Sequence, residues 1–193
     1  MHAPDSARPN QFILLGQRRF APFFWTQFSG AGNDNLFKFA FTVMVTYRAE
    51  AASAVSAGLM VNLIAALYIL PFVLFSATSG QLADKFDKAA LMRKVKALEI
   101  AIMLLAAWGF VAGNVPALLA CAFGMGLHST LFGPAKYAYL PQHLSAAELT
   151  GGNGMTEMGT FVAILLGNLA GGLLMAFEHL AELHRSFIAK RDV

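Results

Sequence analysis

The stretch GAGNDNLFK, at residues 30–38, lies inside a long apolar run that covers about residues 20–47. An α-helix needs roughly 20 residues to cross the hydrocarbon core of a membrane, so we predict a first membrane-spanning helix here. Asp34 and Lys38 then lie near the middle of the membrane. A charge at that depth costs roughly 2.5–3.5 kcal/mol on insertion scales. Two such charges indicate either an internal pair or a functional site.

The composition indicates the same class of protein. The chain has 193 residues, of which 57% are hydrophobic and only 13% are charged. Soluble domains are about half apolar and about a quarter charged, so we predict an all-α polytopic membrane protein. The net charge of +3 does not indicate nucleic-acid binding, because the basic residues cluster at the ends of the predicted helices.

Apolar runs predict about five spans between a cytoplasmic lead at residues 1–19 and a polar tail at 178–193. The spans are expected at about residues 20–47, 55–79, 97–113, 116–133 and 153–177. Residues 80–96 are predicted as a charged loop. Residues 134–152 are predicted as a longer connection with a short surface helix, whose capping box is Ser145 to Glu148.

The distribution of Lys and Arg predicts the orientation. With the N-terminus inside, the inner segments carry nine of these residues: three in 1–19, five in 80–96, and Lys136. The outer turns carry only Arg48, so the positive-inside rule predicts a cytoplasmic N-terminus. The basic tail would then lie outside, against the rule. It is expected to be either an interfacial helix or an unnatural end, and with an odd number of spans it suggests a truncated chain.

The polar residues of the first span are the main candidate site. They are Asn33, Asp34, Asn35 and Lys38. In one interpretation Asp34 and Lys38, four residues apart on one helix face, pair with each other while the asparagines satisfy an irregular backbone. In the interpretation that we favour, they line a cavity in which Asp34 meets a cationic group or a proton and Lys38 meets an anion.

The fifth span carries a second polar stripe, in which Glu157, Thr160 and Asn168 share one helix face. Glu157 either reaches the membrane interface or faces the same cavity as Asp34; we favour the cavity. The pattern Gly167-x-x-x-Gly171 is typical of close helix packing in membranes.

Gly80, Asp84, Lys85 and Lys88 lie in the charged segment after the second span. They are either a basic anchor, with Asp84 capping the next helix, or a conformational latch in which these charges pair with neighbouring helix ends. Their spacing favours the latch.

The sequence predicts no catalytic residue, cofactor or metal. The histidines show no zinc-type spacing, and neither a Ser-His-Asp order nor a phosphate loop is present. His128 is interpreted as a hydrogen-bonded helix-contact residue rather than a proton carrier.

Several of these stretches resemble the major facilitator superfamily. GQLADKFDK at 80–88 is similar to its loop signature between helices two and three, with Asp87 where a glycine is common. The remaining stretches resemble its bacterial lysophospholipid transporter branch, over about residues 11–177. They are FWTQF at 24–28 leading to NDNLFK at 33–38, FGPAKY at 132–137 with LP at 140–141, and NG at 153–154 with Glu157 and LLG at 165–167.

The resemblance implies transport of lysophospholipids to the inner leaflet of the bacterial cytoplasmic membrane, where an acyltransferase partner restores the missing chain. By this analogy Asp34 binds the headgroup amine, and Lys38 binds the phosphate or a neighbouring acid. The superfamily binds its substrate between two six-helix halves. This chain corresponds to the N-terminal half, so the C-terminal half is an expected partner.

Two other functions stay open from the sequence. One is a proton-coupled carrier of small soluble solutes. The other is a non-transporting membrane module, either an anchor for an acyltransferase or an inactive remnant. An intramembrane enzyme that uses His128 is least favoured, because no partner nucleophile or carboxylate is evident near it in the sequence.

Overall fold

The structure is a computed structural model. It describes the backbone of residues 11–52 and 56–191 and the side chains of residues 11–47 and 56–181. A 3-10 helix, Gln11–Gly16, is followed by five α-helices. They are α1 (Ala21–Ala52), α2 (Ala57–Lys85), α3 (Lys88–Ala112), α4 (Val115–His143) and α5 (Ala146–Arg191). The described part of the chain contains no strand, so the all-α class is confirmed.

Four of these helices are long and apolar enough to cross a membrane. They are α2, α3, α4 and the Ala146–Ala181 part of α5. The polytopic class is therefore confirmed. The polar residues of α1 lower its mean hydropathy, and α1 does not reach the same apolarity despite its 32 residues. A membrane span at α1 remains a prediction.

Helix α1 packs mainly against α5 and to a smaller extent against α2, and α4 packs against both α2 and α3. Glycines allow α5 and α1 to approach each other closely. A Cβ atom on Gly167 would overlap the carbonyl group of Gly32, and one on Gly171 would lie 2.7 Å from the carbonyl oxygen of Leu36. The packing role predicted for Gly167 and Gly171 is confirmed. Because lipid tails are as apolar as the helices, such van der Waals contact is a main source of association in membranes.

Two apolar clusters hold α1 in place. One surrounds Phe37 and Phe41 with residues of α4 such as Met125, and the other surrounds Phe20 near the start of α1. Leu14 of the 3-10 helix belongs to the second cluster. The segment before α1 is therefore packed onto the bundle rather than being a polar lead throughout.

The prediction of a charged loop at 80–96 is wrong. Helix α2 continues to Lys85 and α3 begins at Lys88, so only Phe86 and Asp87 connect them. The charged side chains here are mostly exposed, and exposed charges do not interrupt a helix. The side chain of Asp87, not Asp84, caps α3 by accepting a hydrogen bond from the Ala90 N–H at 2.7 Å.

The predicted connection at 134–152 is also helical. Helix α4 includes Pro134 and Pro141 and ends at His143, and α5 begins at Ala146. The capping box forms, since the Ser145 N–H donates to Glu148 Oε2 at 3.0 Å. It starts the long α5 instead of a separate surface helix. Neighbouring helices accommodate the prolines.

The predicted tail at 178–193 continues α5 as far as Arg191. The apolar face expected there, around residues 180–187, lies mostly outside the described side chains, as do Arg8 and Arg48 in the orientation argument.

Candidate functional site

A cavity of about 350 Å³ lies in the centre of the bundle. Each of the five α-helices contributes a polar side chain to its wall: Asn35, Tyr68, Lys96, His128 and Thr160, in helix order. A polar cavity inside an apolar bundle is where a membrane protein tolerates ionisable groups, and such groups mark pathways for ions or substrates.

Asp34 is the only carboxylate that lines this cavity among the described residues. Its Oδ2 atom accepts hydrogen bonds from the Tyr68 hydroxyl at 2.9 Å and the Ser129 hydroxyl at 2.8 Å. Its Oδ1 atom is buried and has no hydrogen-bond partner in the described part of the chain. Leaving a buried acceptor unpaired costs about 1–3 kcal/mol, so this oxygen is suited to a proton or a cationic ligand.

Lys38 does not pair with Asp34. Its Nζ atom lies over the Tyr68 ring, 4.5 Å from the ring centroid, and forms no ion pair within the described residues. The two charges share a helix face, as their spacing predicts. The Asp34 carboxylate, however, accepts a hydrogen bond from the Tyr68 hydroxyl of α2. The pairing interpretation is therefore wrong. Lys38 remains in the cavity wall as a cation held by an aromatic ring.

The two asparagines serve different regions. Asn35 lines the cavity, and its Nδ2 donates to the Ala31 carbonyl at 2.8 Å within the same helix. Asn33 instead donates to Glu99 Oε1 of α3 at 2.9 Å and does not line the cavity. Helix α1 is continuous through this region, so the irregular backbone that one interpretation expected does not occur.

Glu157 lies at the edge of the cavity rather than in its wall. Its Oε1 accepts from Lys136 Nζ at 2.9 Å and from the Tyr137 hydroxyl at 3.0 Å, and both of these partners line the cavity. Thr160, one turn further along α5, accepts a hydrogen bond from Gln27 at 3.1 Å. Glu157 therefore contributes to the site by neutralising Lys136.

A second charged cluster, which the sequence did not predict, is centred on Glu99 of α3. Lys96 Nζ donates to Glu99 Oε2 at 2.6 Å, and His128 Nε2 lies 3.1 Å from the same oxygen. Glu99 and His128 are buried, with 7% and 2% of their surface exposed. Neither ring nitrogen of His128 has a partner of suitable hydrogen-bond geometry within the described residues, although Nε2 is within ion-pair distance of Glu99, so the hydrogen bond expected for His128 stays a prediction. The Lys-x-x-Glu spacing at 96–99 could have predicted this ion pair. The predicted charged loop instead included Lys96, and in a loop this spacing has no helical meaning.

The residues proposed as a latch belong neither to the cavity that contains Asp34 nor to the charged cluster around Glu99. Asp84 and Lys85 are exposed, and the Lys88 ammonium is 3.4 Å from the Asp84 backbone carbonyl. Gly80 has open space around its Cα, and in the described part of the chain Asp84 forms no ion pair. The latch therefore remains a prediction.

Comparison with known proteins identifies one family model and several transporters that resemble this chain. The family described as transmembrane secretion effector matches residues 25–183. The lysophospholipid transporter LplT of Cronobacter sakazakii is 31% identical over 171 residues, which are 89% of this chain and 40% of that protein. The lysophospholipid transporter LplT of Salmonella paratyphi B is 33% identical over 61% of this chain and 28% of that protein. That of Serratia proteamaculans is 32% identical over 60% of this chain and 28% of that protein. The chain thus spans less than half the length of these relatives. No solved structure matches it.

Proposed function

Because the chain belongs to the transmembrane secretion effector family of the major facilitator superfamily, we propose that it is the N-terminal part of a lysophospholipid transporter. It would move these lipids to the inner leaflet of the bacterial cytoplasmic membrane by alternating access. The names of the relatives that match up to 89% of the chain support this substrate. In this proposal the N-terminus is cytoplasmic, a second helical half completes the substrate site, and an acyltransferase uses the delivered lipid.

The observation that carries the proposal is the presence of two separate, unpaired charges in one cavity. Asp34 offers a buried Oδ1 without a hydrogen-bond partner, and Lys38 offers an ammonium group without a carboxylate partner among the described residues. A lysophosphatidylethanolamine headgroup carries an ammonium and a phosphate that match these two charges. The headgroup amine binds Asp34, and the phosphate binds Lys38.

The other cations of the cavity support this assignment of the phosphate. Lys136 is neutralised by Glu157 at 2.9 Å, and Lys96 is neutralised by Glu99 at 2.6 Å. Among the described residues Lys38 has no such partner, and its ammonium lies over the ring of Tyr68. Binding of an anion therefore costs least at Lys38, because no existing ion pair has to be broken there.

The test is movement of fluorescent lysophosphatidylethanolamine across membranes that contain the full native product. Asp34→Asn removes the charge that holds the amine, so the initial rate should fall about ten- to hundredfold, the loss expected for a hydrogen bond to a charged group. Glu178→Gln is the matched control, because it removes an exposed carboxylate of α5. Equal rates in Asp34→Asn and Glu178→Gln would contradict the proposal.

A proton-coupled carrier of small soluble solutes is the second candidate. It is favoured by His128, whose ring nitrogens have no hydrogen-bond partner among the described residues and whose Nε2 lies 3.1 Å from Glu99 Oε2. In that case a pH gradient would drive uptake of a water-soluble compound, and Asp34→Asn would abolish this uptake without changing lysolipid movement. A non-transporting module would instead tolerate both Asp34→Asn and Glu157→Gln without any change in lipid movement.

A further inference from the structure

Helices α1 and α4 share a pattern of residues at a constant offset. Four residues of α1 each have a counterpart 94 positions later in α4: Pro22 with Pro116, Gly30 with Gly124, Gly32 with Gly126, and Asp34 with His128. The two helices begin at the same offset, at Ala21 and Val115. His128 is therefore the positional equivalent of Asp34.

The structure places the second glycine of each pattern at a helix crossing. The carbonyl group of Gly32 faces Gly167 of α5, where a Cβ atom would overlap it, and a Cβ atom on Gly126 would overlap the carbonyl group of Tyr68 in α2. Asp34 and His128 follow these crossings by two residues, and both line the central cavity. Equivalent positions of two helices thus supply an acid and a base to one cavity.

Both side chains contain buried polar atoms without a hydrogen-bond partner in the described part of the chain. They are Asp34 Oδ1 and the two ring nitrogens of His128, of which Nε2 lies within ion-pair distance of Glu99. This chain alone already covers these atoms, so a side chain from elsewhere cannot reach them in this conformation. Buried polar atoms are nearly always satisfied, and the ligands small enough to satisfy these are a proton and a water molecule.

The charges that face His128 come from several helices. Glu99 of α3 lies 3.1 Å from Nε2, and Lys96 donates to the same carboxylate oxygen. Asp34 of α1 interacts electrostatically with His128. The remaining ionisable groups of the cavity and its edge are Lys38, Tyr68, Lys136, Tyr137 and Glu157. Since Lys136 is paired with Glu157, the imidazole has a carboxylate on each of two helices, α1 and α3, to balance a proton.

We propose that Asp34 and His128 together hold one proton in the substrate-free protein, and that the ammonium group of an incoming lysophosphatidylethanolamine displaces it. On binding, an ammonium N–H donates to Asp34 Oδ1, the phosphate binds Lys38, and the proton leaves to solvent. One positive charge replaces another beside Asp34, so its carboxylate stays compensated in the membrane. The inference rests on the proposed function and adds the exchange of one proton for one lipid.

The dependence of lysolipid affinity on pH tests this exchange. The full native product is purified in nanodiscs and binds lysophosphatidylethanolamine that carries a fluorescent group at the end of its acyl chain. Affinity is measured from about pH 5.5 to about pH 8.5, the range in which histidine commonly titrates. We expect affinity to rise with pH by up to about tenfold per unit, because each bound lipid releases one proton. A flat profile would overturn the inference.

The headgroup supplies a matched control. Lysophosphatidylglycerol carries the same phosphate but no ammonium group, so it leaves the proton in place and its affinity should not rise with pH. An equal rise for both lipids would mean that pH does not act through the ammonium position, and the inference would be wrong. Both lipids are tested on the unaltered protein, so this comparison does not depend on the folding of a variant.

Two histidine variants test which side chain holds the proton. His128→Asn removes the base of the pair, whereas His143→Asn removes a histidine of α4 that does not line the cavity and whose Nδ1 lies 3.0 Å from the Tyr139 carbonyl oxygen. We expect the affinity for lysophosphatidylethanolamine to change less than about twofold over the pH range in His128→Asn, and as in the unaltered protein in His143→Asn. Identical profiles in the two variants would contradict the role of His128.

The same measurements separate this inference from the proposed function. If the unaltered protein binds lysophosphatidylethanolamine equally well at every pH, the proton exchange is wrong and the proposed function stands. If the unaltered protein binds no lysolipid at any pH, the proposed function itself is wrong, and the inference falls with it.

Discussion

The Tyr68 hydroxyl donates a hydrogen bond to the Asp34 carboxylate at 2.9 Å. The same aromatic ring lies beneath the Lys38 ammonium. One side chain of α2 thus holds two opposite charges of α1 apart, although their spacing along the helix would allow them to pair. The proposed binding site depends on this separation, because a direct Asp34–Lys38 pair would leave neither charge free for a headgroup.

Replacing Tyr68 with phenylalanine tests this separation. Tyr68→Phe removes the hydroxyl that bonds Asp34 but keeps the ring under Lys38, so lysolipid binding should weaken as Lys38 turns toward the released carboxylate. The lost hydrogen bond to a charged group corresponds to about 1.5–3 kcal/mol of stability. The measurements are lysolipid affinity and the thermal unfolding midpoint of the purified protein. Tyr47→Phe is the control, since Tyr47 is half exposed on the same bundle and does not line the cavity. Matching affinities in the two variants would contradict the role of Tyr68.

The Lys96–Glu99 pair is expected to show strong energetic coupling. Lys96→Met leaves a buried carboxylate without its main counter-charge, and Glu99→Gln leaves the ammonium without its partner. Each single change should cost about 3 kcal/mol of stability, the lower end for a buried pair, because the Lys96 side chain is 18% exposed.

The double variant should cost less than the sum of the singles, since it removes both charges together. The measurement is the thermal unfolding midpoint of all three variants, with the exposed Lys94→Met as the control. Additive effects would show that the two side chains act independently.

The sequence predicted the class of the protein and the importance of α1, because both rest on composition and on the cost of charge in a membrane. It predicted Gly167 and Gly171 correctly, since their spacing alone specifies a packing face. It did not predict which group each charge meets. Asp34 bonds to Tyr68 and Ser129, from α2 and α4, and such contacts depend on how the helices pack.

The Glu99 cluster was missed for a related reason. Lys96 and Glu99 follow a run of surface charges, so the sequence gives no boundary between the exposed start of α3 and its buried part. Only the packing of α3 against α4 brings His128 to Glu99. The same packing places Lys96 and Glu99 in a buried polar cluster, although the sequence predicts that Lys96 ends a charged loop.

The contact between α5 and α1 sets a steric limit at Gly167. Gly167→Ala forces its new methyl group against the backbone carbonyl of Gly32, which cannot rotate away as a side chain does. Overpacking of this kind costs about 1–3 kcal/mol, so we expect a lower thermal unfolding midpoint. Gly154→Ala, on the same helix but with open space around the new methyl group, should leave the midpoint unchanged or slightly higher. The argument fails if both variants unfold at the same temperature.

Arg19 joins the start of the bundle to the turn between α4 and α5. Its Nη1 donates to the His143 carbonyl at 3.0 Å, and its Nη2 donates to Glu148 Oε1 at 2.5 Å. The pair is partly exposed, so its effect on global stability should be small, up to about 1 kcal/mol. The local effect should be larger, because Glu148 also caps α5 through Ser145. In Arg19→Ala we therefore expect faster amide hydrogen exchange confined to residues 144–150, with an unfolding midpoint close to that of the unaltered protein. Arg18→Ala, which removes the neighbouring exposed arginine, is the control. Exchange that is unchanged in Arg19→Ala, or equally faster in Arg18→Ala, would show that Arg19 does not fasten this turn.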